Sequence, residues 1–230
     1  MEPYGEDIYT EPDADPDTLA NLGPLAPLAG TWQSVRGDNL HPIGPGSEHE
    51  GGTVEGDGLR VVYIEHYDLQ PIDPQTNGPQ LFYGLRYHVH IVKRGEVETF
   101  HDQVGYWLWE PATKTVSQML AIPRGQVAFA AGIAEPDATD FEVTASAGAA
   151  YYGILSNPFL ETAFQTLSFR IHVMVNGDGT WSYEEDTVLQ LPDRDEPFHH
   201  TDRNTMTLVA SPTPNPLAVA GSAEPVVGSS

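Results

Sequence analysis

Leu81-Phe82-Tyr83-Gly84-Leu85-Arg86-Tyr87-His88-Val89-His90-Ile91-Val92 is the stretch whose reading decides the fold. Leu81, Tyr83, Leu85, Tyr87, Val89 and Ile91 are all apolar, while the alternate positions include Arg86, His88 and His90. A period of two sustained this long describes a β-strand with one buried face. Residues 165–175 repeat it: Leu167, Phe169, Ile171, Val173 and Val175 share one face, and Ser168, Arg170 and His172 the other. Asn176-Gly177-Asp178-Gly179 then reads as a hairpin turn. Past that turn, Trp181, Tyr183, Thr187, Leu189 and Leu191 continue one face.

Working outward, further strands are expected near 29–36, 53–67, 96–109, 115–121, 125–132, 139–147 and 201–210, with a brief helical turn within 155–163. Lys93-Arg94-Gly95-Glu96, Glu110-Pro111-Ala112-Thr113-Lys114 and Pro123-Arg124-Gly125 supply short connections. The fold class is therefore all-β: a single antiparallel meander closed into a β-barrel of about ten strands, with a β-sandwich as the alternative. A barrel of that size has room for one small ligand.

The 230 residues include 22 glycines, 20 prolines and no cysteine, which excludes disulfides, thiolate catalysis and iron–sulfur clusters. A net charge of −23 argues against nucleic acid and anionic membrane surfaces as partners. No apolar run is long enough for a membrane-spanning helix, the start of the chain lacks a secretory signal, and a cytoplasmic location is expected. Residues 1–21 form an acidic segment expected to be mobile, 22–210 the barrel domain, and 211–230 a disordered Pro/Ala/Gly/Ser-rich tail. The expected partner is a small apolar ligand in the cavity, with a homodimer left open.

Histidines are the chemically interesting set. His88, His90 and His172 fall on polar strand faces; the first two share a face, but no third metal ligand is spaced to join them. His41 and His49 fall in a Gly/Pro-rich loop and are expected to be exposed, and the facing of Glu65, His66 and His101 is ambiguous. In the last strand Met206 and Leu208 are apolar at even positions, so alternation turns His200 inward and His199 outward, with Asp202 and Asn204 on the inward face. An inward imidazole there is either a hydrogen-bonded rim residue or a ligand contact able to coordinate iron. Glu185 shares its strand face with Trp181 and Tyr183 and is the one acid–base candidate should the cavity house an enzyme.

Leu25-Ala26-Pro27-Leu28-Ala29-Gly30-Thr31-Trp32 resembles the first-strand signature of the nitrobindin-like haem-binding β-barrels, which are lipocalin-like and fatty-acid-binding-protein-like in shape. Tyr63-Ile64-Glu65, Leu81-Phe82-Tyr83, His101 to Trp107, Ile122-Pro123-Arg124-Gly125 and His200 to Thr205 resemble later segments of the same family, in the same order. The resemblance spans roughly 22–210. It implies a ten-stranded barrel and a haem b cofactor held by one histidine of the last strand, with peroxynitrite isomerisation and nitric oxide binding as the associated chemistry. Carried over to this chain, His200 is the expected iron ligand, and His200, Trp32, Met206 and Tyr183 the expected cofactor-binding residues. Two departures are visible. The family's Gly-x-Trp-x-Gly-x-Gly reads Gly30-Thr31-Trp32-Gln33-Ser34-Val35-Arg36, and its final-strand histidine register lands on Arg203. Those departures keep two other readings open: a non-haem carrier of a lipid or other apolar molecule, and an enzyme using the cavity.

Overall fold

The computed structural model describes residues 4–44, 51–192 and 194–214. Ten long strands form a closed ring: β1 (Gly30–Pro42), β3 (Gly58–Pro71), β5 (Gln80–Lys93), β6 (Thr99–Glu110), β7 (Thr115–Ile122), β8 (Gln126–Ile133), β9 (Asp140–Ala147), β11 (Gln165–Val175), β12 (Trp181–Gln190) and β13 (Phe198–Ala210). Three short strands accompany them: β2 (Thr53–Glu55), β4 (Gln75–Asn77) and β10 (Gly153–Ser156). The first and last long strands pair along β1–β13, and β3–β5 completes the circle. Every pair of long strands is antiparallel, as a meander requires. The pure antiparallel expectation is corrected at β10, which lies between β8 and β9 where they diverge. It runs antiparallel to β8 and parallel to β9, making an eleven-strand barrel of mixed pairing.

Alternation does the work expected of it. Tyr83, Leu85, Tyr87, Val89 and Ile91 of β5 are buried inward, and Trp107 and Trp109 of β6 join them. Gly95, Gly125 and Gly179 hold positive φ in the tight turns, where a side chain would strain the backbone. The helical turn expected near 155–163 is α2 (Pro158–Ala163), capped by Asn157.

Two stretches differ from expectation. Residues 18–28, assigned in part to the acidic N-terminal segment, form α1 (Thr18–Asn21) and a 3-10 helix (Gly23–Leu28) that close one end of the barrel. Leu22, Leu25 and Leu28 are wholly buried there, and Trp32 Nε1 donates to the Leu28 carbonyl at 2.8 Å. This apolar plug holds even though the preceding residues are acidic, because burial depends on the leucines and not on the average charge.

The second difference is in β1, which runs six residues beyond the expected end at 36 and carries a bulge. Ser34 pairs with Glu65 and Gly37 with Tyr63, so three steps on β1 match two on β3. The extra residue switches the inward positions from Trp32 and Ser34 to Gly37, Asn39 and His41. His41, expected to be exposed in a loop, is therefore a half-buried strand residue; His49 lies outside the described residues.

Candidate functional site

Opposite the helical plug, the barrel opens on a cavity of about 980 Å³. Val89, Ile91, Leu120, Phe169, Ile171 and Leu189 supply apolar wall, and Phe159 and Leu160 of α2 stand at its edge. Arg124 and Arg194 are the basic residues of the lining. Arg194 is tied to Asp57 and lies over the Phe198 ring, while Arg124 donates to the Phe100 carbonyl.

Deeper in the lumen the wall turns polar. Asn39 organises one side: its Nδ2 donates to His200 Nε2 and to Asp202 Oδ2, both at 2.8 Å, and its Oδ1 accepts from His41 Nδ1 at 2.7 Å. An amide N–H only donates, so His200 Nε2 is an acceptor and the ring is neutral. Burial pushes the His200 imidazolium down to about 4, and His41 and Arg124 add in the same direction. Burial also lowers His101, which faces the lumen from β6 with Nε2 3.3 Å from Gln103 Oε1.

Three carboxyl groups share this depth. Glu65 Oε2 accepts from Tyr183 Oη at 2.7 Å and from Asn204 Nδ2 at 2.6 Å, and Tyr183 Oη lies 3.0 Å from Tyr63 Oη. Burial raises Glu65 to about 7 and Asp202 to about 6, and it holds Glu185 well above the ordinary carboxylate range. Neighbouring charge compounds the effect, since Asp202 raises both Glu65 and Glu185.

Of the four residues expected to bind a cofactor, His200 and Tyr183 line the cavity. Trp32 and Met206 are corrected: both are buried, but they pack at the closed end and do not reach the cavity lining, Trp32 edge-on to Trp181 with centroids 6.0 Å apart. Alternation placed them on the inward face correctly; it carries no information on depth along the barrel axis. Glu185 lies in the lumen, whereas His88 is exposed on the outside and paired with Asp102. Asn39 is not singled out by the sequence, His41 reads there as a loop residue, and the facing of Glu65 and His101 is ambiguous. The first two are hidden by the bulge; Glu65 shares its parity with Val61, Tyr63, Tyr67 and Leu69, a signal that finds it, while the faces around His101 look alike.

The structure also accounts for the two departures in signature. After the bulge, the next inward residue beyond Ser34 is Gly37, so an inward glycine is retained one residue late. No room is left above it, because the Tyr63 ring sits directly against its Cα. Arg203, where the family histidine would fall, points outward and pairs with Asp38.

Sequence comparison matches residues 21–207 to the THAP4-like, heme-binding beta-barrel domain. The chain belongs to this family of nitrobindin-like haem-binding barrels. Its barrel is similar to the crystal structure of Rv2717c from M. tuberculosis, with a TM-score of 0.55 at 17% identity, covering 82% of this chain and 97% of that one. No curated protein matches in sequence. Among the described residues, no helix is long and apolar enough to cross a membrane, and no group of three or more acidic or histidine side chains is arranged to hold a bare metal ion.

The lumen residues suit the family's cofactor on three counts. The volume is at the upper end of small-molecule pockets. Much of the wall is apolar, as a porphyrin face requires. His200 presents a neutral imidazole, the form that ligates iron.

Proposed function

We propose that this protein binds haem in its lumen with His200 as the axial ligand, and that it acts in the cytoplasm. The observation that carries the reading is the inward, neutral imidazole of His200 beside the apolar wall of a 980 Å³ cavity. When bound, the iron would supply the diatomic-gas and peroxynitrite chemistry associated with the family. The chain's own contribution is to present His200 from the lumen wall, close one end of the barrel with the leucine-bearing plug, and offer Arg124 and Arg194 to acidic substituents. Asn39 Nδ2 holds the His200 Nε2 lone pair, and that hydrogen bond would have to open for Nε2 to ligate iron.

The test is a haemin titration followed in the visible region. The wild-type protein is expected to give a shifted Soret band, and His200→Ala, checked for folding by circular dichroism, to lose or displace it. A folded wild type with no Soret change, or a spectrum identical in His200→Ala, overturns the proposal. Should His101→Ala alone abolish the band, the axial role belongs to His101.

A further inference from the structure

Haem does not use everything the lumen offers. Its own acid substituents are anionic, and so are the groups at the polar depth of this cavity. Glu185 projects into the lumen from β12, and the hydrogen bond it receives from Thr187 Oγ1 is long at 3.4 Å. Across from it, Gln118 is 1% exposed and lines the same cavity, yet its Oε1 has no partner. Its Nε2 contacts Tyr87 Oη at 3.4 Å, and Gln103 Nε2 donates to the same hydroxyl at 2.7 Å. Placed this way, the amide leaves its acceptor as the unpaired atom. Burial holds Tyr87 and Tyr67 above the ordinary phenol range, and Glu185 adds in the same direction. A buried acceptor with no donor is destabilising, so such a group marks a place where a donor belongs.

We infer that the deep end of the lumen is a second subsite that takes the protonated amine head of a small, otherwise apolar molecule. The acceptors are Glu185 and Gln118 Oε1, with Asp202 and Glu65 adding negative potential. The arginines of the lining, Arg124 and Arg194, stand with the turn and loop residues at the ends of the strands, and each already has an oxygen partner. An ammonium group carries up to three donors, enough to satisfy both acceptors. A carboxylate head would face the negative potential of Asp202 and Glu65. The apolar body would lie along Val89, Leu120, Phe169 and Ile171. The subsite shares the apolar wall with the haem reading, but none of its polar groups ligates iron in that proposal.

Seating an ammonium beside Glu185 would draw its proton off, since burial and the neighbouring Asp202 otherwise keep that carboxyl protonated. Binding should therefore release close to one proton. The experiment is calorimetric titration of the full chain with n-hexylamine, n-hexanol and hexanoate near pH 7, repeated in two buffers of different ionisation enthalpy. Hexylamine is expected to bind with proton release, and hexanoate at least tenfold more weakly. Glu185→Gln is expected to weaken hexylamine at least tenfold while leaving hexanol unchanged, and Gln118→Leu to weaken it less. Hexanoate binding as well as hexylamine, no binding of hexylamine to the folded wild type, or a Glu185→Gln variant with unaltered affinity each overturn the inference. None of these results alters the Soret titration, so the two proposals fail separately.

Discussion

Glu65 shows what a single side chain costs and returns inside this barrel. It is buried to 1% exposure and held by two donors, yet desolvation still raises it to about 7. In an unfolded chain the same carboxyl would titrate near its ordinary value of 4.5. The folded state therefore binds more protons between those values, and stability falls as pH rises through about 7. Asp202, raised to about 6, acts in the same sense at lower pH. His200, lowered to about 4 from 6.5, acts oppositely and is spent above pH 6.5. Urea unfolding should thus show lower stability at pH 8 than at pH 6.5, and Glu65→Gln should shrink that difference. A wild type whose stability is flat or rises over this interval would contradict the assignment.

At the scale of the element, β1 matters most. Its bulge between Ser34 and Gly37 turns Asn39 and His41 into the lumen, and Asn39 in turn fixes His200. Gly37 is where the bulge meets the core, with the Tyr63 ring against it. Gly37→Ala should therefore overpack the site and destabilise by about 1–3 kcal/mol, read as a lower urea midpoint with an unchanged m-value. A loss under about 0.5 kcal/mol would mean that Tyr63 moves aside freely. The same element shows how far the sequence could be read. The alternation of residues 81–92 and 165–175 is uninterrupted, so those strands and their inward faces were legible, as was the parity of His200. In β1 one extra residue reverses the parity without any local mark, and the Gly/Pro-rich composition after residue 36 imitates a loop. β10 was not legible because four residues between a turn and α2 carry no period, and the parallel contact with β9 is decided by the barrel as a whole.

At the scale of the whole molecule, charge and closure act together. A net charge of −23 on the chain opposes its own compactness. Raising ionic strength from about 10 mM to about 0.5 M shortens the screening length from about 30 Å to a few ångströms. The thermal midpoint should rise across that range, as measured by circular dichroism at constant pH. A midpoint that falls would show that surface ion pairs such as Lys114–Glu135 and Arg170–Glu142 outweigh the self-repulsion. That repulsion also works between molecules, keeping copies apart while their strands are unpaired.

The seam between β1 and β13 sets a timetable. Thr31 pairs with Ala210, so the barrel cannot shut during synthesis until residue 210 has left the ribosome. Until then β1 has β3 on one side and an unsatisfied edge on the other, open to any passing strand. Closing a loop of that span is also entropically late and slow. Folding of this protein should accordingly end with a zipping step at the seam, and the nascent chain passes through an open, sticky sheet whose strongly acidic charge is its main protection from its own kind.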